Sequence, residues 1–109
     1  MLLFENKRPD NYEAIKAICT NHLCDAINQM RQGEPFEAWM EFGSFRAVVS
    51  LYYASTGDTT LMPSSPRFDP ELCRLYEKLL LTEWKGIPFN LLDNDTLESL
   101  IREGEHSWQ

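Results

Sequence analysis

Helix-opening signals occur at four well-separated places in this chain, and they constrain its fold more than any other feature. Asp10 and Asp95 are each followed three residues later by glutamate, which is the spacing of a capping box. Pro35 suits the first position of a helix, because the N–H of that residue would have no partner in the helix anyway. Asp69 is followed by proline and then glutamate, so a cap, an N1 proline and an early acid occur together. The sequence therefore predicts four helices.

The first helix follows from the period of the apolar residues after Asp10. They recur at steps of three and four residues and stop before Gly33, a suitable residue for the left-handed position after a helix. Residues 1–9 precede this helix as an extended arm. The positions that define the periodic face are Ile15, Ile18, Cys19, His22, Leu23, Ala26, Ile27 and Met30.

The second helix, which we expect to run from Pro35 to about Gly57, has little polar surface. Between Phe45 and Ala54 only an arginine and a serine interrupt the apolar run, and a helix of that composition is typical of a buried centre. The competing prediction is a strand over residues 45–53, because phenylalanine, valine and tyrosine are good strand formers. The residues at helical spacing are Phe36, Trp39, Met40, Gly43, Ala47, Leu51 and Ala54.

Residues 58–68 are predicted to form a loop, since two prolines and several small polar residues disfavour regular structure there. Leu61 and Met62 are expected to hold this loop against the core. The third helix then begins at Asp69, has a leucine-rich inner stripe and stops at Gly86.

The last helix is predicted to begin at Asp93 or Asp95 and to end at Gly104, with residues 105–109 as a tail. Together these elements predict a single all-α domain over residues 1–109, a compact bundle-like or orthogonal arrangement of about four helices. An α+β fold with the strand at 45–53 is the alternative. A chain of 109 residues with 43% apolar residues has enough material for one core.

The net charge, the cysteine content and the length of the apolar stretches limit the partners and the location that we expect for this chain. The net charge of −7 repels a phosphate backbone, so direct nucleic-acid binding is not expected. Three cysteines without a secretory signal argue for reduced thiols and a cytoplasmic setting. No stretch approaches the length of a membrane span, so no membrane partner is expected either.

No residue cluster has the pattern of a metal or catalytic site. Cys19 and His22 share a face of the first helix, but Cys24 does not, and a second ligand pair is missing. We therefore predict no metal, no cofactor and no catalytic residue. A small enzyme that uses Cys73 or His22 is the least favoured alternative, because neither lies in a motif for nucleophilic catalysis.

Two acidic stripes are the candidate partner-binding residues. One lies at the start of the second helix, where no Lys or Arg follows four residues later, and the other lies on the last helix. Next to the first stripe, Trp39 and Met40 would add apolar anchors if their side chains are not fully buried. Packing of Trp39 into the core is the more ordinary outcome. The candidates are Glu34, Glu37, Trp39, Glu41, Asp93, Asp95, Glu98, Glu103 and Trp108.

These observations predict a non-enzymatic module that docks an acidic helical face on a larger protein with a basic surface, such as the groove of a nucleic-acid-processing complex. In size, acidity and all-α build the chain is similar to many phage- or mobile-element-encoded inhibitors of host machinery, including anti-CRISPR proteins. That likeness is one of composition and assigns no residues. The alternative is a structural subunit whose apolar second helix is covered by another copy or by a partner subunit.

Overall fold

The computed structural model describes residues 11–107 and contains the four predicted helices. The mostly-α, bundle-like class is confirmed, and the alternative strand over 45–53 is wrong because these residues lie inside the second helix. The predicted arm 1–9, the predicted cap Asp10 and the candidate Trp108 lie outside the described residues. The helices are α1 (Tyr12–Arg31), α2 (Pro35–Thr56), α3 (Pro70–Leu81) and α4 (Asn94–Ser107).

The connection between α1 and α2 is short because the C-terminus of α1 is closed by a Schellman motif. Gly33 has a φ of 80°, the left-handed conformation that glycine adopts without a steric penalty. Its N–H donates to the carbonyl of Met30 at 3.1 Å, and the N–H of Glu34 donates to that of Gln29 at 2.8 Å. The chain therefore reverses within three residues, and α1 and α2 pack along each other.

The loop between α2 and α3 is attached to the core, as predicted. Leu61 is fully buried and Met62 is half-buried against the core. The loop ends where the N–H of Asp69 donates to the carbonyl of Thr60 at 2.8 Å, and the Asp69 carboxylate then caps α3 by accepting from the N–H of Glu71 at 3.0 Å. The strong cap expected from the sequence is therefore present.

The end of α3 differs from the prediction. The helix stops at Leu81 and not at Gly86, and two short antiparallel strands follow, β1 (Glu83–Trp84) and β2 (Ile87–Pro88). Lys85 and Gly86 connect them with φ values of 51° and 81°. Two successive positive φ values are the signature of a type I′ hairpin turn, so the glycine serves a hairpin instead of a helix end.

The last element, α4, continues past the predicted stop at Gly104 as far as Ser107. A 3-10 turn over Phe89–Leu91 leads into it, and its inner side contributes Leu97 to the core. No helix in residues 11–107 combines the length and the apolar character that a membrane crossing needs.

The buried apolar side chains form one cluster to which every described helix contributes. From α2 this cluster takes Ala38, Phe45, Val49 and Tyr52, all at most 5% exposed. The prediction that α2 is a buried central helix is therefore correct for one of its faces only. The other face defines the candidate site.

Candidate interaction surface

The side of α2 that points away from the core is lined by apolar residues, and we call it the outer face. Three of its side chains are large and strongly exposed: Phe36 at 54%, Met40 at 56% and Leu51 at 70%. Between and beyond them lie exposed small residues. The outer face consists of Phe36, Met40, Gly43, Ala47, Leu51 and Ala54.

The stripe that the sequence analysis identified on α2 is, apart from Trp39, this outer face. The buried residues Ala38, Phe45 and Val49 lie about half a helical turn away, at 100° per residue, and make the contacts with the core. Both faces are apolar, so hydrophobic periodicity does not distinguish them. The core packs against only one, and the other remains exposed.

The outer face is long and carries no charge. From Phe36 to Ala54 it extends about 27 Å at 1.5 Å per residue. The charged residues of α2 flank it: Glu37 and Glu41 lie to one side and Arg46 to the other. Because no charge would have to be desolvated there, a partner could cover this stripe without the penalty that buried charges bring.

Two of the predicted acidic residues lie at the N-terminus of α2. Glu34 is at the N-cap position of α2, where its side chain makes no capping hydrogen bond, and Glu37 is in the first turn. Both are exposed and have no ion pair among residues 11–107. Glu37 follows Phe36 and lies three residues before Met40, at the edge of the outer face, and forms with them a mixed acidic and apolar patch, whereas Glu34 precedes the first turn of the helix.

Glu41 does not belong to this patch, although the sequence grouped it there. Its Oε2 atom lies 2.8 Å from Nδ1 of His22, in a half-buried contact between α2 and α1. A spacing of four residues reveals only partners on the same helix, so the partner of Glu41 on α1 was not predicted. The contact accounts for an acid that seemed unpaired from the sequence.

Trp39 is also directed away from the outer face. Its side chain is half-buried and packs against the core, with its ring centroid 5.8 Å from that of Phe89. The aromatic anchor of the exposed patch is therefore Phe36, which the candidate residues did not include. The signal for Phe36 was its place on a charge-free stripe with Met40 and Leu51.

The acids of α4 fall into two groups. The carboxylate of Asp93 accepts from the N–H of Thr96 at 2.7 Å and so caps the helix, and this bond lowers the pKa of Asp93. Glu98 lies 3.8 Å from Arg102 in an exposed ion pair. Asp95 and Glu103 are exposed and have no such partner among residues 11–107, so they are the acids of α4 that remain available.

The buried polar groups form a structural network between α1 and α3. Asp69 is 5% exposed and receives a hydrogen bond from Tyr12 at 3.1 Å and an ion pair from Lys16 at 3.0 Å. Burial alone would raise the pKa of Asp69, but the contacts with Lys16 and Tyr12 and the backbone hydrogen bonds of the helix cap outweigh it, so the pKa is lowered. The contact with Asp69 in turn raises the pKa of Lys16. In the described part of the chain, no buried side-chain nitrogen or oxygen atom is without a hydrogen-bond partner.

An open groove of about 580 Å³ lies between α2, the 58–68 loop and α3. Aromatic and aliphatic side chains line it, and its charged lining residue is Arg46. Neither His22 nor Cys73 lines this groove, so the two groups that a thiol–imidazole site would need do not open into it. The apolar lining residues are Phe42, Phe45, Val49, Met62, Pro63 and Tyr76.

Two of the thiols, those of Cys19 and Cys73, are in surroundings that disfavour the reactive thiolate. Burial raises the pKa of Cys19 to about 11. Partial burial and the neighbouring Glu77 carboxylate, 3.5 Å away, raise the pKa of Cys73. Among the side chains that the structure describes, no three from His, Cys, Asp or Glu come together as a metal site would require.

Comparisons with models of known protein families, with curated proteins and with solved structures give no match. On the surface of the molecule, the outer face of α2 combines three large exposed apolar side chains on one helix with the exposed acid Glu37 at its N-terminal edge.

Proposed function

We propose that this protein is a non-enzymatic interaction module that contacts a larger protein through the outer face of α2. The exposure of Phe36, Met40 and Leu51 carries this proposal. Large apolar side chains on a continuous stripe are uncommon on a surface that contacts only water, and such patches mark interaction sites. Phenylalanine and methionine are also enriched at the centres of protein interfaces.

The partner that fits the N-terminal end of α2 has an apolar pocket for Phe36 and Met40, and basic residues surround that pocket. Glu34 and Glu37 would lie at the rim, where charges steer association and select partners. The net charge of −7 favours the same class of partner over long distances. The basic groove of a nucleic-acid-processing complex has this chemistry, and the protein would inhibit or modulate that complex by occupying it.

In this proposal the protein acts in the cytoplasm, in the manner of small inhibitors encoded by phages or mobile elements. The acidic composition and small helical domain support that part by analogy of class alone. The acids of α4 that remain available, Asp95 and Glu103, would provide a second electrostatic contact.

The test is affinity capture from the host of origin with the wild type and two variants. F36S removes the apolar anchor, and A17E, which places a new charge at an exposed site on α1, is the control. A partner of the outer face is captured by the wild type and by A17E and is lost with F36S. Binding of that purified partner is then measured at increasing salt, with and without the additional changes E34Q and E37Q.

We expect affinity to fall with ionic strength and to fall less steeply in the E34Q/E37Q variant, because exposed charges are screened by salt. An affinity that does not respond to salt would remove the basic partner from the proposal. Equal capture by F36S and the wild type would remove the outer face.

A further inference from the structure

We infer that, when no other partner is bound, the outer face of α2 is covered by a second copy of this chain packed antiparallel to it. This inference rests on the proposed function because it names an occupant for the same face. It also implies regulation: the dimer and the complex with a different protein exclude each other, since both need Phe36 and Met40.

The outer face is complementary to itself under a two-fold rotation. Its six residues are spaced around a midpoint near position 45. When a second α2 is reversed and placed over the first, Phe36 of one copy lies opposite Ala54 of the other, and Gly43 lies opposite Ala47. A large side chain thus meets a small one at the ends, and the two small residues at the centre allow the helices to approach closely.

Met40 and Leu51 complete this pairing. On a reversed second helix they lie at neighbouring heights, and on the same side of the contact because the two-fold axis relates like sides. Both are more than half exposed in the single chain. Each dimer would therefore contain two contacts between a methionine and a leucine, one on either side of the centre.

The acidic residues at the start of α2 favour the antiparallel arrangement over the parallel one, although Arg46, one residue from the midpoint, would lie near its own copy at one flank of the antiparallel contact. A parallel pair would bring Glu34 and Glu37 of both copies to the same end, where four carboxylates would repel one another. In the antiparallel pair the two copies of Glu37 are separated along the axis by about 24 Å, which is more than two Debye lengths in physiological salt. The helix dipoles also oppose each other in this arrangement.

The available area predicts a weak dimer. Covering the outer face and the exposed serines beside it would remove on the order of 1,000 Å² of accessible surface from the two copies together, which is at the lower limit for a specific interface. We therefore expect dissociation in the micromolar range or above. Such a dimer protects the apolar face at high concentration and gives way to a tighter partner.

The first experiment is sedimentation velocity of the purified chain over roughly a hundredfold range of concentration, with a matched pair of variants. A47E places a carboxylate at the centre of the outer face, and A17E places the same group at an exposed position of α1. We expect the wild type and A17E to shift from monomer to dimer with the same midpoint, and the dissociation constant of A47E to be at least tenfold higher because a charge is buried in the contact.

The second experiment tests the antiparallel geometry with a short thiol cross-linker, in a background that carries C24S and C73S. Single variants F36C and A54C are prepared separately and then mixed. The antiparallel dimer cross-links in the mixture and not in either variant alone, because two copies of residue 54 are about 27 Å apart. A parallel dimer would cross-link in A54C alone.

A wild type that stays monomeric throughout, an A47E variant that dimerises as the wild type does, or cross-linking of A54C with itself would each overturn the inference. These results leave the proposed function standing if capture of a different protein is still lost with F36S. Conversely, a dimer with the expected pattern, together with capture that is indifferent to F36S, would retain the inference and remove the heterologous partner.

Discussion

The two faces of α2 are similar in composition and opposite in environment. The inner face carries Ala38, Phe45 and Val49, which are at most 5% exposed, whereas Met40 and Leu51 of the outer face are more than half exposed. A helix that is apolar all round requires neighbours on all sides to be fully buried. Within residues 11–107 the other elements cover one face, so the second face is exposed in the single chain and is the face to which we assign the proposed intermolecular contact.

The two faces should differ most in the free energy of unfolding that is lost when one side chain on each face is truncated. F45A removes a fully buried ring and should lower the free energy of unfolding by about 3–5 kcal/mol, through lost burial and the cavity left behind. L51A on the outer face should change it by less than about 0.5 kcal/mol. Urea denaturation followed by circular dichroism, at a concentration where the chain is monomeric, measures both. Similar losses of unfolding free energy for F45A and L51A would mean that the outer face is as buried as the inner face.

A smaller loss is expected at the polar end of the inner face, where the ring of Tyr52 lies 6.1 Å from that of Tyr12 and Tyr12 donates to Asp69. D69A removes a helix cap and leaves Lys16 without its buried partner, so we expect a loss of about 3 kcal/mol at neutral pH. D95A, at an exposed acid of α4, is the matched control and should have little effect.

The same carboxylate gives this region a pH dependence. Because the pKa of Asp69 is lowered from 3.8 in the folded protein, the unfolded chain takes up the proton first as the solution is acidified. The stabilisation from Asp69 is therefore complete above about pH 4 and is lost as the pH falls from there through the folded pKa. The difference in stability between wild type and D69A should shrink over that acidic range. A difference that stays constant would contradict the contacts described for Asp69.

The boundary between the two faces can be tested through Glu41 and His22. A double-mutant cycle with E41A and H22A should give a coupling energy of about 0.5–1.5 kcal/mol, as expected for one half-buried hydrogen bond. The same cycle with E37A in place of E41A should give no coupling, because Glu37 is exposed at the rim of the outer face. Coupling in both cycles would indicate that His22 responds to negative charge in general and not to its contact with Glu41.

The smallest effect on stability is expected for the outer face itself. The double variant F36S/M40Q should unfold within about 0.5 kcal/mol of the wild type, since these side chains contact mainly solvent in the single chain. Thermal and urea denaturation of the monomer measure it. A loss of several kcal/mol would show that both residues pack within the fold, and the surface would then have no exposed anchor.

Short-range sequence signals were enough to predict the helices. They were not enough to predict which face of each helix packs against the core and which face stays exposed. Asp69 and Gly33 act through neighbours within a few residues, so their roles as cap and left-handed residue were readable from the sequence. Gly86 was misread because a glycine after an apolar helix can either end it or form a hairpin turn. The φ values of Lys85 and Gly86 decide for the hairpin.

The candidate site was predicted less well, for a physical reason. Whether Glu41 is unpaired depends on His22, and whether Phe36 is exposed depends on which side of α2 the rest of the core covers. Both are contacts between segments distant in the chain, and a periodic pattern contains no information about them. Glu34 and Glu37, for which the sequence offers no basic residue four positions later, also have no ion pair with any other segment in the described part of the chain, and their role in partner binding stays a prediction.

The hydrogen bond from Tyr12 to Asp69 joins residues 57 positions apart, and this separation has a consequence for the order of folding. The α1–α2 hairpin is closed by a turn of three residues and needs little chain entropy, whereas the contact that secures the start of α3 requires a long loop to close first. We therefore expect the hairpin to be formed in the folding transition state and the Asp69 contacts to form after it. On that order of events, loss of Asp69 would accelerate unfolding and leave the folding rate almost unchanged.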